Sequence, residues 1–221
     1  MTPEAADILA PSGLAVVGGF HPEPDDGAPE GTGTLLLVGP DGDRMWPVFS
    51  ASPEAADGRP DPLDRWSRRV IDDAARELGA TALYPFGGPP WQPFVRWAAK
   101  GEGSRVSPVC IPVSPTRGLW AAYRGALALP ERAPLHGEPH TDPCLGCPAP
   151  CLSACPVEAF AGGAYDLAAC VTHAGGPEGA ACRDGCLVRR ACPVGTAPVL
   201  AQRRFHMAAF LSAHDASRDD D

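Results

Sequence analysis

The chain has 221 residues, 44% of them hydrophobic and 20% charged, which suits one large domain or two small ones, each with a modest core. Its net charge of −9 argues against a general nucleic-acid binder, no apolar run approaches the roughly 18 residues of a membrane helix, and the acidic start, Met1 to Asp7, has no signal-peptide pattern. Glycine (25) and proline (27) make up nearly a quarter of the chain, so turns and irregular loops must be abundant.

In chain order, residues 14–20 and 34–38 are short, apolar and bounded by Gly and Pro, and read as strands joined by an acidic loop over 21–33. Asp61-Pro62 opens the clearest helix, with Asp as N-cap and Pro in the first turn. Leu63, Trp66, Val70, Ala74 and Leu78 follow at helical spacing, and Gly79 supplies the stop. Thr81 to Tyr84 reads as a strand ending in the turn-rich 85–90. A short helix over 93–100 is expected to place Phe94 and Trp97 on one side and to end at Gly101. Val106 to Val113 is expected to be extended, because Pro108 and Pro112 exclude a helix. Residues 119–129 fit either state: their alanines favour a helix, whereas Gly125 and the aromatics permit a strand. Pro130 to Pro143 reads as a linker, 197–213 as a helix with Leu200, Met207 and Leu211 as its buried stripe, and 217–221 as a frayed tail.

The cysteines dominate the functional reading. Eight of the nine lie between Cys144 and Cys192, and the ninth, Cys110, sits in an apolar segment that predicts an ordinary core residue. An odd count at close spacing, with no export signal, speaks against disulfides and for metal chemistry in a reducing, cytoplasmic setting. Cys144-x2-Cys147-x3-Cys151-x3-Cys155-Pro156 is the bacterial ferredoxin run with one residue added before the third cysteine. A tight loop of this kind wraps three thiolates around an iron–sulfur cube, while its backbone N–H groups compensate the sulfide charge. The second half is Cys170, then Cys182-x3-Cys186-x5-Cys192-Pro193.

Together the halves supply eight cysteines and two Cys-Pro dipeptides, the number that two [4Fe–4S] clusters need. Crossed ligation gives one cube Cys144, Cys147, Cys151 and Cys192, and the other Cys155, Cys170, Cys182 and Cys186. Structural zinc typically uses two separated cysteine pairs, not a run of four ending in Cys-Pro. Clusters that only hold loops together are the remaining alternative.

The C-terminal module resembles dicluster ferredoxin domains, above all those of epoxyqueuosine reductase and the related reductive dehalogenases. Asp166-Leu167-Ala168-Ala169-Cys170 matches their lone cysteine between two Cys-Pro motifs. Upstream, Gly118-Leu119-Trp120-Ala121-Ala122-Tyr123-Arg124-Gly125-Ala126-Leu127 is similar to a segment of cobalamin-processing (CblC-type) proteins. That resemblance implies a nitroreductase-like core, a strand over 119–128 and a bound corrinoid or flavin. Ser114-Pro115-Thr116 stands where the family has His-Pro, so only the cluster ligands are carried over.

No Walker loop, G-x-G-x-x-G, H-E-x-x-H or G-x-S-x-G motif is present, and Gly31-Thr32-Gly33 reads as a turn. His21, His136, His140, His173, His206 and His214 are scattered and read as surface or linker residues. Tyr84, Trp91, Trp97, Trp120 and Arg124 are candidates to line a cofactor pocket, but fit better as core aromatics with Arg124 in an ion pair. Lys100 is the one lysine, which leaves little room for Schiff-base chemistry.

The expectation is an α+β or α/β protein: a small sheet-and-helix domain over 1–135, then a loop-rich dicluster ferredoxin-like domain over 136–221 with a C-terminal helix. Its expected role is electron transfer with a redox protein partner, without nucleic acid or membrane. The alternatives are a corrinoid- or flavin-dependent reductase fed by the clusters, and an interaction subunit with structural clusters.

Overall fold

A computed structural model describes residues 3–135, 141–161 and 163–215. In chain order the regular elements are α1 (Pro3–Leu9), β1 (Leu14–Phe20), β2 (Thr34–Pro40), α2 (Met45–Ser50), α3 (Pro53–Ala56), α4 (Pro62–Leu78), β3 (Thr81–Leu83), α5 (Phe94–Glu102), β4 (Arg105–Val106), β5 (Pro112–Val113), β6 (Gly125–Leu129), α6 (Leu167–Gly175), α7 (Ala180–Arg183), α8 (Leu187–Ala191) and α9 (Leu200–Asp215). Mixed helices and a small antiparallel sheet make the chain α+β. It divides into two compact units: the residues up to Ser104 with Ala122–Thr141, and Arg105–Ala121 with Asp142 onward. Residues 105–121, assigned to the first domain from the sequence, therefore belong with the cysteine-rich segment.

The first unit is built on a four-stranded sheet of order β1-β2-β6-β3, antiparallel throughout. Leu35 to Val38 are all fully buried, as a continuous apolar run in a central strand requires. Leu35, Leu37 and Ala126 pack with Phe94, Trp97 and Ala98 of α5. The two-residue alternation puts Val38 and Gly125 on the opposite face, against α4, where Ile71 Cδ1 would stand 2.8 Å from a Cβ on Gly125. Gly18 lets β1 meet α5 at backbone distance, since a Cβ there would stand 2.6 Å from the Gly101 carbonyl oxygen.

The acidic loop over 21–33 is anchored at Asp26, which is buried. Its carboxylate accepts from Lys100 Nζ at 2.7 and 2.9 Å and from the Glu23 amide at 2.8 Å, while its carbonyl accepts from Trp97 Nε1 at 2.8 Å. The Lys100 hydrogen bond, more than any other contact, holds the Asp26 carboxyl below the ordinary range.

The strands at 14–20 and 34–38, the helix from Asp61-Pro62 to Gly79 and the strand from Thr81 stand as expected, with small boundary changes. Other expectations are corrected. Asp61 adopts a left-handed backbone (φ 52°) with no side-chain capping bond, and the buried face of α4 is centred on Trp66, Ser67, Ile71 and Ala74. α5 runs through Gly101 and stops at the left-handed Gly103. The stretch 106–113 is not continuously extended, because a turn separates β4 from β5. Within 119–129 only Gly125–Leu129 forms a strand; the resemblance had implied one over 119–128. On α9, Leu200 is exposed and Met207 and Leu211 are half-buried, so the fully buried position is Gln202. Most of the expected frayed tail, and residues 136–140 of the expected linker, lie outside the described residues. No helix among the described residues is long and apolar enough to cross a membrane.

Asp26 is expected to make stability depend on pH in one direction. A carboxylate with a lowered native pKa stabilises above its unfolded pKa of about 3.9, and that contribution disappears as pH falls through the native value. Asp26→Asn should therefore lower the denaturant midpoint at pH 7, and the gap from the parent protein should narrow below about pH 4. A gap that stays constant between pH 7 and pH 3 would refute the role given to Asp26.

Candidate metal centre

Eight cysteines enter the second unit on two chain segments. The first begins at Asp142, whose carboxylate accepts from the Cys144 amide at 2.9 Å and pairs with Arg105, fixing the start of the loop. A turn closes from the Cys147 amide to the Cys144 carbonyl at 3.2 Å, and the Ala149 amide donates to Cys147 Sγ at 3.4 Å. Ala149 takes a left-handed backbone (φ 52°) and leads into a 3-10 turn, Pro150–Ser153, that carries Cys151. Beyond it, the Ala159 amide donates to Cys155 Sγ at 3.4 Å.

On the second segment Cys170 lies in α6, whose N-cap Asp166 accepts from the Ala169 amide. Cys182 lies in α7, while Cys186 and Cys192 are the N-cap and C-cap residues of α8.

The thiols fall into two groups by what each acts on. Burial is the largest influence raising the pKa of Cys144, followed by Asp142 and then Cys147, Cys151 and Cys192. Cys151 is raised by burial and by Cys192 and Cys147, against backbone hydrogen bonds that lower it. Burial likewise raises Cys182, reinforced by Cys186, Cys170 and Cys155. It also raises Cys170, reinforced by Cys186 and Cys155, while the Tyr165 hydroxyl donates to that sulfur and opposes the rise. The structure thus brings Cys144, Cys147, Cys151 and Cys192 together, and separately Cys155, Cys170, Cys182 and Cys186. Cys151 is buried, and the other seven are half-buried.

Two short pieces of chain cross between the groups. Residues 151–155 run from the first group to the second, and α8 runs from Cys186 in the second to Cys192 in the first. The 3-10 turn and α8 pack together, and Val109, Val113, Leu119, Cys151 and Val188 form the apolar core around which Cys144, Cys155, Cys186 and Cys192 sit.

Residues 105–121 are tied to this centre by backbone approach. Gly118 has φ 56°, and a Cβ there would stand 2.0 Å from the Val194 carbonyl oxygen and 2.9 Å from Cys192 Sγ. Reciprocally, Gly195 (φ 77°) faces the Arg117 backbone, with its would-be Cβ 2.5 Å from the Arg117 carbonyl carbon. Arg189 Nη1, half-buried on α8, donates to the Leu119 carbonyl at 2.5 Å.

Among the described residues, no three His, Cys, Asp or Glu side chains converge as the ligands of a single ion must. A structural zinc site would need four thiolates about 2.3 Å from one ion. A four-iron cube spreads its thiolates over different irons, and partly buried sulfurs that accept backbone N–H bonds suit it. Eight cysteines in two groups supply the donor type that such a group takes.

Cys110 is exposed rather than buried, with a left-handed backbone (φ 58°) and a 3.8 Å contact from its thiol to the Gly163 carbonyl, which corrects the expectation of a core residue. His21 contacts the Gly33 carbonyl at 3.0 Å, and His206 and His214 meet Phe205 and Phe210 edge-on. His136 and His140 lie outside the described residues. Trp97 is fully buried, the Tyr84 hydroxyl donates to Asp72, and Arg124 pairs with Asp64 and donates to Ser67 Oγ at 2.9 Å. These three are engaged in the packing of the first unit, whereas Trp91 is exposed and Trp120 belongs to the second unit.

Sequence reasoning gave no role to Asp142, Tyr165 or Arg189, and quoted Gly118 only within a resemblance. The Asp two residues before Cys144 was the one readable signal, as the start of an Asx-type turn. Comparisons with protein-family models, with curated proteins and with solved structures find no match to this chain.

Gly118 should tolerate no side chain. Gly118→Ala would incur roughly 1–2 kcal/mol for the left-handed backbone alone, in addition to the clash with Val194. Thermal unfolding monitored at the second unit should shift downward, whereas the exposed Gly146→Ala, which has open space around its Cβ, should cost only the backbone strain. Equal shifts for the two variants would contradict the close approach.

Proposed function

We propose that this protein transfers electrons through two [4Fe–4S] clusters, one held by Cys144, Cys147, Cys151 and Cys192 and the other by Cys155, Cys170, Cys182 and Cys186. The observation that carries the reading is the sorting of eight thiols into two groups that exchange one cysteine each along the chain. Cys192 joins the run that begins at Cys144, and Cys155 leaves that run for the group that contains Cys170. Two-cluster ferredoxins ligate their cubes in this crossed way, and the resemblance to the module of epoxyqueuosine reductase points the same way. We read the second unit as ferredoxin-like on that basis.

Clusters bound there would supply one-electron oxidation and reduction without any acid or base. The chain's own residues do the rest. Eight thiolates hold the irons, and the amides of Ala149 and Ala159 donate to ligand sulfurs and offset their charge. Val109, Val113, Leu119 and Val188 exclude water from one side. A net charge of −9 favours a redox protein with a basic docking face as partner. The proposal includes no corrinoid or flavin, because Tyr84, Trp97 and Arg124 are already engaged within the first unit.

Single cysteine-to-serine substitutions test the pairing. In dithionite-reduced protein, Cys144→Ser and Cys192→Ser should alter one electron paramagnetic resonance signal, and Cys155→Ser and Cys182→Ser the other. Cys110→Ser should alter neither. If Cys155→Ser disturbs the same signal as Cys144→Ser, ligation is sequential and the crossed assignment is wrong.

A further inference from the structure

The net charge of −9 is not spread evenly along the fold. The first unit carries eighteen acidic residues against ten basic ones, a balance of −8, and the second unit nine against eight, a balance of −1. Together they account for all 27 acidic and 18 basic residues of the chain. The negative field that draws a cationic partner therefore belongs to the unit that holds no cysteine.

That unit also has an apolar groove of about 380 Å³, open to solvent and formed by α1, α2 and α4. A helical step of four places Trp66, Val70 and Ala74 of α4 in one row along it. Trp66 and Ala74 are buried, and Val70 and, from α1, Ile8 are half-buried. Val48 of α2, also part of the groove, is 38% exposed.

Arg69, Asp73 and Glu77 make a parallel row on α4 beside the apolar one. Arg69 is already neutralised, since its Nε and Nη2 donate to the two Glu54 carboxylate oxygens at 2.5 and 3.0 Å. Asp73 pairs with Arg76 at 2.9 Å, but both side chains are more than half exposed, and such a pair changes partners at little cost. On α1, Glu4 stands exposed one turn before Ile8, in a helix with no basic residue. Among the described residues, neither Glu4 nor Glu77 has an ion-pair partner.

An apolar slot edged by unmatched carboxylates selects its occupant by charge. We infer that this groove docks a cationic segment of a partner protein: an apolar side chain enters above Trp66, and flanking Lys or Arg residues pair with Asp73, Glu77 and Glu4. Apolar burial supplies the affinity, while the charges steer the approach and fix the register. Nucleic acid and anionic lipid carry the wrong sign for this edge. A second copy of the chain would bring a charge of −9 of its own. The inference goes beyond the two-cluster reading and is independent of it, because every residue involved lies in the first unit.

The test uses the full-length protein and three synthetic peptides of equal length. One is built of Lys and Leu, the second has Glu in place of every Lys, and the third has Ser in place of every Leu. The Lys and Leu peptide should bind, less tightly as salt rises, and both counterparts should bind at least about tenfold more weakly. The amide chemical-shift changes it causes should centre on Ile8, Val48 and Val70. Glu77→Lys and Val48→Lys should each weaken its binding about tenfold. Glu30→Lys makes the same change of charge as Glu77→Lys at an exposed loop position outside the groove, and should leave binding within about twofold.

Equal weakening by Glu30→Lys and Glu77→Lys would reduce the attraction to overall charge and overturn the inference. Failure of the parent protein to bind, tighter binding of the Glu peptide, or shifts centred elsewhere would do the same. Self-association of the parent protein through Ile8, Val48 and Val70 would give the groove to a second copy and overturn it as well. Should Val48→Lys fail to fold, Glu77→Lys, at an exposed helical position, decides the matter.

Discussion

Eight thiols crowded into one small unit impose the constraint on which the rest of this structure depends. Desolvation and mutual repulsion raise the pKa of Cys144, Cys151, Cys170 and Cys182 together and so disfavour the thiolate form. Under the proposed function, bound irons would reverse that balance, and the energy of binding would then become folding energy. The apolar core of this unit is correspondingly slight, with three valines, a leucine and Cys151 at its centre. Its cysteines serve in place of the large side chains that build the other unit.

Local geometry follows from that crowding. Two chain segments must deliver sulfur to both groups, and each does so over a few residues: the stretch from Cys151 to Cys155, and the five-residue helix between Cys186 and Cys192. Each ends in Cys-Pro, which turns the chain away from its group. Residues 105–121 close over this arrangement through Gly118 and Gly195, where backbone meets backbone and no side chain fits. The first unit needs no such device. A central strand buried along its length, fully buried Trp97 and the Asp26–Lys100 anchor give it a conventional interior.

Much of this was legible in the sequence, and the failures have physical causes. Short apolar runs bounded by Gly and Pro located β1 and β2, and helical periodicity located α4, because these elements bury apolar side chains in regular patterns. Periodicity missed α2 and α3, which are too short to show a stripe, and it offered Leu200, Met207 and Leu211 as the stripe of α9, where Gln202 is the buried residue instead. The two cysteine groups were readable because their cysteines recur at close, regular spacing along the chain. Cys110 was misjudged because a cysteine's apolar neighbours in sequence do not fix its exposure when a left-handed turn rotates it outward. Gly118, Tyr165 and Arg189 were unreadable as contributors, since each meets the centre only through tertiary contact.

The most direct test of the central claim is the iron and acid-labile sulfide content of the anaerobically purified chain, with zinc measured alongside. The account predicts about eight irons and eight sulfides per chain, the sum of two four-iron cubes. Zinc bound without sulfide would contradict it, and the eight thiols would then have to be read as a structural site.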